Sequence, residues 1–173
     1  MNRLDPIHLA LDAVWSAWSK SLPEIAEGWD GVRLERGTGF FPGREEGAPW
    51  GFIKLEAWPK MADGADTMDS IFRATYHGEV RIVSEHRLIS WSLSKEQGLS
   101  EDNLDTLRFG KHDLADLTPA QVLALGQRAA ADVTEWLRLA HDAEECDDEP
   151  EYGDGDGDQE EADSLEDVSD TGE

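Results

Sequence analysis

Hydrophobic spacing changes twice along this chain, from a helical period to a period of two and back again, and that alternation narrows the fold more than any other feature. Ile7, Leu11, Val14, Trp18 and Leu22 recur at steps of three and four residues, which places them on one face of a helix. Asp5 can cap this helix, and Pro6 suits its first position, where the preset φ helps and the missing N–H is not needed. Pro23 removes a backbone donor and disfavours helical geometry just before it. The first helix is therefore expected over residues 6–21.

Between Gly28 and Ser94 the period becomes two, and strands are expected at 32–36, 51–58, 71–76, 79–83 and 88–93. In the second of these, Ile53, Leu55 and Ala57 alternate with Lys54 and Glu56, the pattern of a strand with one wet face. His77-Gly78 reads as a tight turn and 84–87 as a longer one, so residues 70–94 are expected to form a three-stranded antiparallel meander. Ile89, Trp91 and Leu93 point inward in that register. The glycine-rich stretch 37–51 and the stretch 60–70 read as loops.

Ser100 is expected to cap a short helix that runs through Leu107 and ends before Gly110. Thr118-Pro119-Ala120-Gln121 then forms a capping box with proline at the first helical position. Val122, Leu125, Ala129, Val133, Trp136, Leu137 and Ala140 make the buried stripe of a helix over 119–141. Helix, antiparallel strands and helix predict an α+β domain, an antiparallel sheet of about five strands with the N-terminal and C-terminal helices on one face. The other face needs cover or a partner. Trp50, Phe52, Trp58 and Phe72 stand at alternating or loop positions that suit it.

Charge divides the chain at a different place. Residues 143–173 hold 16 Asp and Glu with no Lys or Arg, while residues 1–142 hold 23 acids and all 15 bases of a chain whose formal charge is -24. The sizeable apolar side chains of that last stretch are Cys146, Tyr152, Leu165 and Val168, too few to offset the entropy of ordering it. A single α+β domain over 1–142 with a disordered acidic tail over 143–173 is expected. The charge argues against direct binding to nucleic acid or to an anionic membrane, since both are polyanions. No apolar run approaches a membrane helix, and Asp5 and His8 interrupt the N-terminus where a secretory signal needs apolar residues. A cytoplasmic protein is expected, and its one cysteine excludes an internal disulfide framework.

Sites for chemistry are sparse. The glycine-rich stretch lacks the lysine and hydroxyl of a phosphate-binding loop, and no serine lies in G-x-S-x-G. His77, Glu79, Glu85 and His86 are residue types that hold zinc, yet they are ordinary at exposed hairpin ends, and no metal is expected. Glu144, Glu145, Asp147 and Asp148 around Cys146 disfavour its thiolate. Asp154, Asp156 and Asp158 begin like a calcium loop, but Gln159 stands where the glycine belongs and Leu165 where the bidentate glutamate belongs. No cofactor and no catalytic residue are expected.

No motif carries a family resemblance. In outline the arrangement is similar to small acidic secretion-chaperone-type domains, and its charge is similar to that of acidic phage or plasmid inhibitors that imitate nucleic acid. The expected function is a non-catalytic binding protein that occupies a basic surface of a partner, such as the nucleic-acid site of a nuclease or defence complex. Carboxylates held by a fold can replace phosphates as partners for Arg and Lys. Glu45, Glu46, Asp63, Asp66 and Asp69 in the two loops, with Trp50 and Trp58 beside them, are the expected contacts. The alternative is an adaptor or chaperone that holds a partner segment on an aromatic sheet face or edge.

Overall fold

The computed structural model describes residues 6–40, 49–61, 73–83, 87–98 and 104–147. Its elements are α1 (Pro6–Ala26), β1 (Gly31–Phe40), β2 (Pro49–Trp58), β3 (Ala74–Val83), β4 (Leu88–Gln97), β5 (Leu104–Asp113) and α2 (Pro119–Asp147). All five strands pair antiparallel with their sequence neighbours, in the order β1-β2-β3-β4-β5.

Both helices cover the same face of this sheet, α1 over β1 and β2, α2 over β3 and β4. The expected α+β arrangement is thus observed. Ile53, Leu55 and Ala57 of β2, Val80 and Ile82 of β3, and Ile89 and Leu93 of β4 meet Leu11, Val14 and Trp18 of α1 and Val122, Val133 and Leu137 of α2 in one buried core. The helices touch through small residues. A Cβ on Gly126 would lie 2.7 Å from the carbonyl oxygen of the fully buried Ala10. Trp18 ties the pair together, its indole N–H donating to the Ala130 carbonyl at 3.1 Å and to Thr134 Oγ1 at 3.2 Å.

The capping box forms as its spacing implies: the Thr118 N–H donates to Gln121 Oε1 at 2.8 Å, and the Gln121 N–H to Thr118 Oγ1 at 3.4 Å. Five expectations need correction. The stretch 37–51 is not a loop throughout, since 37–40 complete β1 and 49–51 begin β2, while 41–48 lie outside the described residues. The first helix does not stop at residue 21 but passes through Pro23 to Ala26. Pro23 lies on the exposed side, so the freed carbonyl one turn back can turn to water, while Ile25 beyond it is buried. His77-Gly78 is not a turn. Residues 74–76 and 79–83 of the two expected strands belong to the single β3, 71–72 lie outside the described residues, and in place of a three-stranded meander β3 pairs with β4 alone on that side. Gly78 is there because a Cβ would stand 2.5 Å from Val133 Cγ1 of α2, the close approach that a glycine within a strand often marks.

The helix expected up to Leu107 is instead the edge strand β5, and Ser100, its expected cap, lies outside the described residues. Every residue of β5 except Gly110 is exposed, so no apolar stripe could have held a helix there, while β4 provides a free backbone edge. The last helix runs beyond residue 141 to Asp147. Its extra turn is held by Glu144, which accepts hydrogen bonds from the Tyr76 hydroxyl and, at 2.5 Å, from Lys95 Nζ. Within the stripe, Leu137 is buried but Trp136 only partly. Residues 148–173 of the expected disordered tail lie outside the described residues. Among the described residues no helix is long and apolar enough to cross a membrane.

Candidate functional site

Alternation along the strands gives the sheet a second face that neither helix covers. On β2 this face carries Trp50, Phe52, Lys54, Glu56 and Trp58. The three aromatic rings do not stand up from the sheet. In register, Gly31, Gly37 and Gly39 of β1 stand opposite Trp58, Phe52 and Trp50, and a Cβ on each glycine would meet those rings at 3.1, 2.3 and 3.0 Å. Each ring therefore lies across the bare backbone of an edge strand, and Trp50 stacks on Phe52 with centroids 5.6 Å apart. The other edge uses the same device from the core side, with Trp91 over Gly110 of β5. Trp50 and Trp58 are thus on the expected open face, at opposite ends of β2, half-buried against β1.

One row of that face crosses all five strands: Arg33, Glu56, His77, Ser94 and Thr106. Glu56 is 5% exposed and pairs with Arg33 Nη2 at 2.5 Å and Lys54 Nζ at 2.8 Å. Burial pushes its carboxyl up, but Lys54, Arg33 and His77 outweigh burial and hold it below the usual carboxylate range. His77 Nε2 lies 2.8 Å from Glu96 Oε2, and Nδ1, buried and without a hydrogen bond, lies 3.5 Å from Glu56 Oε1. The two nitrogens face different carboxylates, which fixes the ring without making those groups converge on a point. Among the described residues no group of three His, Cys, Asp or Glu could hold a metal ion. Glu85 and His86 lie outside them, as does Phe72.

Beside this row a trough of about 390 Å³ runs along β4. Ser90, Ser92 and Ser94 form its floor, with Glu79 and Arg81 of β3 on one side. Leu104 and Phe109 of β5, 50% and 61% exposed, form the other side. The face as a whole is nearly balanced, with Arg33, Lys54, Arg81 and Lys111 set against Glu35, Glu56, Glu79, Glu96 and Asp113.

The excess charge is elsewhere. The described residues contain 17 Asp and Glu and 13 Lys and Arg, a net -4 of the chain's -24. Strand directions decide where the rest attaches. Segments 62–72, 99–103 and 148–173 join the end of the sheet where β1 and β5 begin and both helices finish, and together they carry -18. Segments 1–5, 41–48 and 84–86 join the opposite end, one strand length or about 33 Å away, and carry -2. Glu45, Glu46, Asp63, Asp66 and Asp69 all lie outside the described residues. The first two belong to a segment that connects to one end of the sheet and the last three to a segment that connects to the other.

Reasoning from sequence missed Glu56 as a buried charge, because the alternation with Ile53 and Leu55 placed it on a wet face. The signal available was the density of cations in register, which needs the pairing of β1, β2 and β3 to be seen. Comparison with protein families, with curated proteins and with solved structures found no match for this chain.

Proposed function

We propose that this chain is a non-catalytic, cytoplasmic binding protein whose acidic end occupies a basic surface of a partner protein, in the manner of an inhibitor that imitates nucleic acid at a nuclease or defence complex. One observation carries the reading: a nearly neutral fold with -18 gathered in the segments that join one end of its sheet. Both helices also finish at that end, and their C-terminal carbonyls add negative potential. Such a field draws a cationic partner from a distance and orients it before contact. The test is capture of partners from cells of the source organism with the full chain. Basic nucleic-acid-binding proteins should be retained, and should be released both by raised salt and by added nucleic acid. Retention that salt does not touch, with nucleic acid bound at the same time, contradicts the reading.

A second reading has its own observation. The trough on β4 and the exposed edge of β5, which pairs with no further strand among the described residues, suit an extended segment added to the sheet, with Leu104 and Phe109 as apolar contacts. An adaptor of this kind would lose its partner on Phe109→Ser while tolerating high salt.

A further inference from the structure

A cleft of about 270 Å³ opens between the last turn of α1 and the C-terminal half of α2, at the acidic end. Its floor is apolar, made by Ile25, Trp29 and Leu137. Glu24 and Glu27 stand at its rim, exposed, and neither has an ion-pair partner among the described residues. They occupy the C-terminal turn of α1 and the residue just after it, where the helix dipole is negative. Arg138 also lines the cleft, but its guanidinium is already held by Glu135 at 2.8 and 3.0 Å and by Asp142 at 2.6 Å. The local balance therefore favours a cation.

A second, independent feature of the cleft is Trp29. Trp29 is 7% exposed and is wedged between Tyr76 and His141, with ring centroids 5.4 and 5.2 Å away. Its indole N–H has no hydrogen-bond partner among the described residues, and it is not sealed in the way that His77 Nδ1 is. Gly28 lets His141 close the inner end, for its φ is +92° and a Cβ would lie 2.5 Å from His141 Nε2. The result is an apolar slot lined by Trp29 with carboxylates at the mouth. A side chain with an apolar stem and a cationic head has that shape.

We infer that this cleft seats one arginine or lysine side chain of the basic partner, its charge between Glu24 and Glu27 and a carbonyl of the same segment on the Trp29 N–H. The inference rests on the proposed reading and names the point at which the partner is gripped. The probe is N-acetyl-arginine amide, titrated into ¹⁵N-labelled full chain, with N-acetyl-citrulline amide as its neutral isostere. Trp29→Phe identifies the indole signal. The Trp29 indole and the amides of 24–29 and 134–141 should shift saturably with the arginine compound and not with the citrulline compound. Glu24→Gln with Glu27→Gln, both at exposed positions, should weaken that binding about fivefold. A full chain with Asp154, Asp156 and Asp158 changed to Asn should bind the probe as before. No saturable shift, an equal response to citrulline, or an unchanged affinity in the double Gln variant overturns the cleft assignment while leaving the basic-surface reading to its own capture test. A cleft that responds as stated, in a chain that captures no basic protein, overturns that reading instead.

Discussion

At Gly78 the sheet and α2 come so close that one methyl group has no room, and this contact decides how β3 runs. A Cβ there would sit 2.5 Å from Val133 Cγ1, and both neighbours are fixed in the core, so Gly78→Ala should cost about 1–3 kcal/mol by overpacking. Urea unfolding of the variant measures it, and an unchanged midpoint would mean that α2 can move aside. The sequence His77-Gly78 reads equally as a turn, because what distinguishes the two is a valine 55 residues further on. Glu56 gives a second test at this scale. Its carboxyl titrates below its ordinary value of 4.5 in the folded chain, so the unfolded chain takes up its proton first as pH falls. The stability that Glu56 contributes is therefore complete at neutral pH and is lost as pH drops below about 4.5. Glu56→Gln should lower stability at pH 7 by on the order of 1–3 kcal/mol, because Arg33 and Lys54 lose their counter-charge, and should flatten the loss between pH 5 and pH 3. Thermal melts across that range check both effects.

Among the elements, those with a buried stripe or a cap were legible in the sequence, and those held by backbone pairing alone were not. Thr118-Pro119-Ala120-Gln121 announces α2, and Ile7 to Leu22 announce α1, since periodic apolar residues reflect the core they meet. β5 buries almost nothing, so its residues carry no alternation to read, and only β4 beside it explains its conformation. The far end of α2 was missed for a related reason. Glu144 looks like the first residues of the acidic tail, but it bonds to Tyr76 and Lys95 across the sheet end. Burial pushes its carboxyl up, and Lys95 and Tyr76 outweigh this to hold it below the usual range. A chain ended after Asp147 should unfold like the full chain. One ended after His141 should lose about 1 kcal/mol, the worth of a partly exposed charged pair with its hydrogen bonds. Chemical denaturation of both separates these outcomes, and equal stability would remove the role given to Glu144.

At the scale of the whole molecule, the sequence itself sets a strongly acidic 143–173 apart from a mildly acidic 1–142, and the fold adds a polarity, since 62–72 and 99–103 join the same end of the sheet as 148–173. That polarity was not legible beforehand, because which segment joins which end follows from the strand count between them. With 70–94 read as three strands, the end of the sheet that 99–103 joins is reversed. The observed hairpin of β3 and β4 brings 62–72, 99–103 and 148–173 to one end. That this end grips the partner is tested by variants of equal charge change at the two ends. Asp63→Asn, Asp66→Asn and Asp69→Asn remove three charges at the acidic end, and Glu45→Gln, Glu46→Gln and Glu85→Gln remove three at the other. The affinity for the captured partner, measured by calorimetry at low salt, should fall severalfold in the first variant and hardly change in the second. An equal loss in both, or a larger loss in the second, would contradict it.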